Sequence, residues 1–553
     1  IYINKILFLI LMKKNSKINE GKELFWADQL AKQIITRKKF HYIDKKIPKF
    51  DVFTIKTSAS LSGILHIGRL SDTIRGESVY RALKDAKVKA KLIWVAEDMD
   101  PLRKVPKNVP KEFEKYIGMP VTDVPDPDGN YKSYAERFKA EYFEVLDKFL
   151  TTKMDKFSMR EEYKKKGFNK YIKKILEKAD EVKEIQNKYR TNKLGKGFIP
   201  WKPICDNCRK IVTTNVKEFS NGIVKYQCKD YDFETTTATG CGHKGENNPL
   251  KGNGKLLWKS EWAAQWAHWK IISEGGGKEY QVPNSAFWIN AEIAEKILDF
   301  PMPEPIFYEH LMINGEKMSA SLGNVVYPKD WLEVAKPELL KFFYNKRIMR
   351  TRSFSWRDLP KLYDDYDMHT NVYLGKIKLD NEKEEQHMKR LIEISCGKEI
   401  YPANITFAHA AMVVQMGPHE EDTIRSLEKT GHYDKKMHDV IFERIGKAKV
   451  WLDKYAPEDV KFTVQEEVSK DLKLSGKEKE ALHLVVKALK AKKWSEKKLF
   501  EEFYNICKKV NIKNTDFFRA AYNVLLNKDR GPKLAPFILA LGKEKVIELF
   551  EKV

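Results

Sequence analysis

A chain of 553 residues, 42% hydrophobic and 12% aromatic, is long enough for roughly three or four domains with cores of their own, which excludes a disordered or low-complexity protein. No apolar run reaches the roughly 20 residues that span a bilayer, so a membrane partner is not expected. The formal charge of +24 fits a polyanion such as RNA, and six cysteines, four of them clustered, fit a reducing, cytoplasmic setting rather than a disulfide framework.

The first residues, through Met12, are apolar, but Lys13-Lys14-Asn15 follow that run instead of preceding it, which is the wrong order for a signal peptide. We expect translation to start at Met12. On that reading residues 1–11 come from an upstream extension of the reading frame, and 1–24 form an N-terminal extension. An amphipathic helix is predicted from about Phe25 to Lys39. From Asp51 to Arg75 a β-prone run stops at a cluster of small residues, passes Ser62-Gly63, and enters a helical pattern at His66-Ile67-Gly68. That strand, loop and helix N-terminus form a junction attractive to phosphate. His66 would add a donor, and Gly68 would leave room for a flat group such as adenine. The next strand, Ala90 to Val95, completes a βαβ unit, so a parallel sheet is predicted. Asp98 and Asp100 follow directly. Acids past a strand's C-terminal end face the ligand crevice of an open α/β sheet, where they could grip a cation or simply form a solvated turn.

From about Ser133 to Tyr189 the pattern is helical and charged, and we expect an insertion beside the sheet. Cys205-x-x-Cys208 is followed by Cys228 and Cys241. This is the spacing of a zinc ribbon with four thiolates and no open position, in which His243 could replace one sulfur. Trp258, Trp262 and Trp266 recur at spacing four, as a buried stripe or as a planar pocket for an aliphatic amine with Glu261 beside it. Lys317-Met318-Ser319-Ala320-Ser321 offers one ammonium and two hydroxyls on a loop, suited to charge leaving as pyrophosphate. Beyond about Leu339 strands are not expected, and a basic, all-helical, RNA-gripping module runs to the end. The resulting division is 25–132 and 255–338 for the two halves of one α/β domain, 133–254 for the insertion with its ribbon at about 200–245, and 339–553 for the helical domain.

The ordered pair of HIG and KMSAS resembles the two signatures of class I aminoacyl-tRNA synthetases. With the runs at 98–106, 256–262 and 277–280, the ribbon, and Gly531-Pro532, the chain resembles the class I lysyl-tRNA synthetases from about Phe25 onward. The resemblance implies a Rossmann-type parallel-sheet catalytic domain with an inserted zinc ribbon and an all-α anticodon-binding domain. It also implies L-lysine, ATP with Mg²⁺, and tRNA(Lys) as substrates, a structural Zn²⁺, and a monomer. Activation to lysyl-adenylate would be followed by transfer to the 2′-hydroxyl of the terminal adenosine. Carried over by position, His66, Gly68, Arg69, Lys317, Ser319 and Ser321 would be catalytic. Ser62, Gly63 and Met318 would join His66, Gly68 and Lys317 on ATP. Ser58, Ser60, Trp258 and Tyr280 would line the lysine pocket, with Asp98, Asp100 and Glu261 as acids for the ε-amino group. Three departures stand out: Arg69 replaces the family's Asn, Ser58 and Leu61 replace Gly and Pro, and Tyr280 replaces His. Two competing readings are a paralogue of other specificity or one that adenylates lysine without charging tRNA, and a non-catalytic RNA-binding protein.

Overall fold

The computed structural model describes residues 25–553 apart from 62, 64, 107, 108, 319–323, 398, 399, 401–403 and 418. The expected extension at 1–24, and with it Ser62, Ser319 and Ser321, lies outside the described residues.

The first helix, α1 (Trp26–Thr36), leads to the central strand β1 (Phe53–Ser60), whose Thr54, Ile55, Lys56 and Thr57 are all buried. Burial without alternation is what a parallel strand covered on both faces requires. Helix α2 (Ile67–Asp85) crosses over to β2 (Ala90–Glu97), which pairs with β1 in parallel from Phe53↔Ala90 to Ser60↔Glu97. Along β2 the side chains divide by parity. Leu92, Trp94 and Ala96 join the core on one face, and Ile93 and Val95 join the core on the other. Each large apolar side chain so enclosed contributes about 1.5–3 kcal/mol.

Two corrections follow. The stretch from 133 is not wholly an insertion: α3 (Tyr134–Phe149) is the crossover to an edge strand, β3 (Asp155–Ser158), parallel to β2. Ser133 caps α3 by accepting the Glu136 N–H. Helices between Met159 and Lys188 follow, and then the ribbon, with β4 (Thr214–Ser220), β5 (Ile223–Cys228) and β6 (Lys244–Asn247) forming a three-stranded antiparallel sheet. Helix α4 (Trp258–Trp269) then returns the chain to β7 (Ile271–Gly277) and β8 (Glu304–Tyr308), completing a five-stranded parallel sheet in the order β8-β7-β1-β2-β3.

A small sheet carries Lys317, the first residue of the KMSAS stretch. β9 (Leu311–Ile313) pairs with β10 (Glu316–Lys317) on one side and with β11 (Arg352–Phe354) on the other. β11 is the second correction, because it lies past Leu339, where strands were not expected. From Leu359 to Phe550 the described elements are all helical. Buried Lys341–Glu77 at 2.9 Å and the Arg390 pairs with Asp28 and Asp85 tie the segment after β10 to the α/β core. Among the described residues no helix is long and apolar enough to cross a membrane.

Candidate active site

The chain leaves β1 toward β2 on one side and returns to β7 on the other, so the sheet order reverses beside β1. In open α/β sheets the ligand crevice lies at that reversal, past the strands' C-terminal ends. A cavity of about 350 Å³ lies there, between Ser58 and Ala59 of β1 and Gly275–Gly277 of β7.

The two signature stretches meet at this cavity. His66 is the extended N-cap of α2, and the Ile67 N–H donates to the Val326 carbonyl just past the KMSAS stretch, at 2.9 Å. A Cβ on Gly68 would lie 2.5 Å from Met318 Cε and 2.9 Å from the His66 ring, so the two segments lie in close contact here and a larger residue would push Met318 or the His66 ring aside. Burial, and after it the neighbouring Arg69 guanidinium, pushes the His66 pKa down to about 4. The imidazole is therefore neutral near pH 7, and its buried Nδ1 has no hydrogen-bond partner among the described residues. Arg69 donates from Nη1 to the Ser60 carbonyl at 3.2 Å while lining the same cavity. Lys317 is exposed at the cavity's edge, and Met318 is buried beneath it.

Trp258 and Trp262 stack at 4.8 Å, and Tyr280 meets Trp262 edge-on at 5.1 Å. All three line the cavity, whereas Trp266 is buried behind it and donates from Nε1 to Glu274 at 2.5 Å. Of the pattern at spacing four, two rings therefore face the site and one belongs to the core.

The three expected acids do not line the cavity. Asp98 is fully buried, accepts from Ser158 Oγ at 2.5 Å and from the Arg160 N–H at 2.9 Å, and so anchors the turn after β3. Glu261 is fully buried between Tyr163 Oη at 2.5 Å and Lys255 Nζ at 3.0 Å. Asp100 pairs with the same ammonium at 3.2 Å and accepts from Ser60 Oγ at 3.0 Å. A second buried lysine, Lys56, holds Glu274 at 2.6 Å and Glu97 at 3.5 Å. Burial works against its charge, but the two carboxylates keep its pKa above the ordinary lysine value. Burial raises Glu97 to about 7 against the pull of Lys56.

Two carboxylates that sequence reasoning missed do line the cavity, Asp72 and Glu279. Tyr308 and His310 line it as well. Asp72 sits four residues past Gly68 on the same face of α2, and that helical spacing was the one available signal.

In the ribbon, the Cys205 and Cys241 sulfurs lie 3.7 Å apart and those of Cys208 and Cys228 3.6 Å apart, with all four within 4.8 Å of one another. Sulfurs tetrahedrally placed at about 2.3 Å from one ion are about 3.8 Å apart, so the cluster fits a metal. His243 is not in the cluster, although its carbonyl accepts the Cys228 N–H at 2.8 Å. The ribbon also braces the segment that carries Asp100. Ile211 N–H donates to Gly118 O at 2.8 Å, Thr236 Oγ1 to Arg103 O at 2.6 Å, and Arg209 pairs with Asp123 at 3.1 Å.

The family described as tRNA synthetases class I (K) matches residues 24–398, and the anticodon binding domain matches 449–552. The lysine–tRNA ligase of Thermococcus kodakarensis is 34% identical over 542 residues, covering 95% of this chain and 98% of that protein. That of Methanocaldococcus jannaschii is 30% identical over 549 residues, covering 95% and 99%. That of Methanosphaera stadtmanae is 28% identical over 548 residues, covering 95% and 98%.

Proposed function

The chain belongs to the class I tRNA synthetases (K), enzymes that join lysine to tRNA, and we propose that it does so in two steps at the cavity beside β1. In the first, a carboxylate oxygen of lysine attacks the α-phosphorus of ATP, the bond to the bridging oxygen breaks, and pyrophosphate leaves. In the second, the terminal adenosine's 2′-hydroxyl attacks the lysyl carbonyl, its proton is lost, and AMP departs. Both steps gather negative charge on phosphate oxygens, so fixed donors in a shielded site supply most of the catalysis.

The observation that carries this reading is the closure of Gly68 on Met318, which brings a helix N-terminus and an ammonium to one cavity. Neutral His66 would donate a hydrogen bond to a phosphate oxygen, the α2 N-terminus would add backbone N–H groups, and Lys317 would stabilise the departing pyrophosphate. Mg²⁺ carried in with ATP would supply further charge neutralisation. Trp258, Trp262 and Tyr280 would pack along the methylene stem of lysine. The four clustered cysteines would hold Zn²⁺ as a closed structural site, and the helical domain would grip tRNA in the cytoplasm.

Exchange of labelled pyrophosphate into ATP, run with each of the twenty amino acids with and without tRNA, tests the first step. Lysine alone should support exchange, and Lys317→Ala should lower it by about 10²-fold or more while the fold is retained. Exchange with a different amino acid, or undiminished exchange in the variant, would refute the assignment.

A further inference from the structure

One wall of the cavity is held from behind by a line of contacts that starts outside the parallel sheet. Lys255 lies in a short strand, Gly254–Leu256, paired antiparallel with Trp201–Pro203, the strand that leads into the ribbon. Its ammonium is buried, 3.0 Å from Glu261 Oε2 and 3.2 Å from Asp100 Oδ1. Burial works against that charge, but Glu261, Asp100 and Glu97 outweigh it and hold the pKa above the ordinary lysine value.

The two carboxylates bonded to Lys255 have different second partners. Glu261 accepts from Tyr163 Oη at 2.5 Å, and that oxygen accepts the Leu256 N–H at 2.9 Å, which closes a ring back onto the lysine's own strand. Asp100 passes the contact onward. Its Oδ2 accepts from Ser60 Oγ at 3.0 Å, and the Ser60 carbonyl accepts from Arg69 Nη1 at 3.2 Å. Ser60 ends β1, and Arg69 lines the cavity, while Lys255, Asp100 and Ser60 stand behind its wall. Among the described residues Lys255 is the one cation within 4.0 Å of the Asp100 carboxylate, and Arg69 has no carboxylate at that distance. The Asp100 side chain is 27% exposed, so without the ammonium it can turn to water, since a single hydroxyl holds it only weakly.

We infer that Lys255 is a positioning residue for adenylate formation: through Asp100 and Ser60 it fixes the end of β1 and keeps the Arg69 guanidinium at the cavity wall. This deepens the lysine-activating reading and rests on it. A cation in that wall counts most as charge builds on phosphate oxygens, so its displacement lowers kcat more than it raises KM.

The test is pyrophosphate exchange by the full chain at varied lysine and ATP. Lys255→Met should lower kcat at least about tenfold, with both KM values changed less than about threefold. Ser60→Ala breaks the same line at its next link and should lower kcat in the same sense, whereas Ser60→Thr, which keeps the hydroxyl, should restore it. In the Ser60→Ala background Lys255→Met should cost less than about threefold more, because both changes cut one path. Asp100→Asn removes the same ion pair and replaces Lys255→Met in this cycle if that variant does not fold. Losses that multiply in the double variant overturn the proposal, as does an unchanged kcat. A loss confined to the KM for lysine also overturns it and assigns Lys255 to substrate binding. If wild type shows no lysine-dependent exchange, the lysine-activating reading itself fails and the proposal with it.

Discussion

Asp72 and His66 depart from their ordinary pKa values in opposite directions, and the two shifts predict different pH dependences. Burial, followed by the like charge of Glu274 on β7, raises Asp72 to about 6. Lys56 on β1, the Ser58 N–H and Tyr308 on β8 pull against that rise, Tyr142 of α3 and Arg75 of its own helix being the other groups near it. Below that pH the carboxyl, which lines the cavity, is protonated and no longer adds negative charge there to favour a cationic substrate. The KM for lysine should therefore climb, by up to about tenfold per pH unit, as pH falls below about 6. His66, depressed to about 4, stays neutral over the same range, so the KM for ATP should not follow. Steady-state exchange kinetics from pH 5 to 8 would check both. Lys56→Met gives a second prediction at this scale. It leaves Glu97 and Glu274 buried without their ammonium and should cost about 3–5 kcal/mol of stability, read by denaturant unfolding. His66, Gly68 and Lys317 were legible in the sequence because each lies in a short motif with a chemical reason for its spacing. Asp72 and Lys56 were not, because a single charged residue within a helix or strand gives no hint that tertiary packing buries it.

At the scale of elements, β1, α2 and β2 could be read from apolar runs and small-residue breaks, and the ribbon from its cysteines. The missed strands, β3 and β11, have four and three residues and owe their conformation to the neighbours they pair with. Such pieces carry too little alternation to stand out beside the charged helices around them. The ribbon yields its own prediction. Metal analysis should find about one Zn²⁺ per chain, and chelation in mild denaturant should unfold β4–β6 with loss of their circular-dichroism signal. Because the ribbon props Gly118 and Arg103, metal loss should also raise the protease sensitivity of the 100–121 segment. A ribbon that stays folded and protected without metal would contradict the structural role of the four thiolates.

At the scale of the whole molecule, the α/β core and the helical half are bound together through the segment after the KMSAS stretch. Trp451 Nε1 donates to Trp356 O at 2.8 Å, Trp356 packs on Tyr455 at 4.3 Å, and Tyr455 and Lys454 both reach Glu333. The formal charge of +24 predicts that tRNA affinity falls steeply with salt, by about 10³-fold or more between 50 and 200 mM if six or more phosphates are contacted. Filter binding across that range would measure the slope, and a flat response would remove the electrostatic role of the basic surface. The general charge and the helical texture of the C-terminal half pointed to RNA from the sequence alone. The placement of that half against the catalytic core depended on contacts between residues far apart in the chain. The most direct test of lysine–tRNA ligation is to incubate the full chain with ATP, Mg²⁺, unfractionated tRNA and each labelled amino acid in turn, and to count acid-precipitable label. Lysine alone should be attached, and a tRNA ending in 2′-deoxyadenosine should not be charged. No lysyl-tRNA, or equal attachment of another amino acid, would contradict the function assigned to this chain.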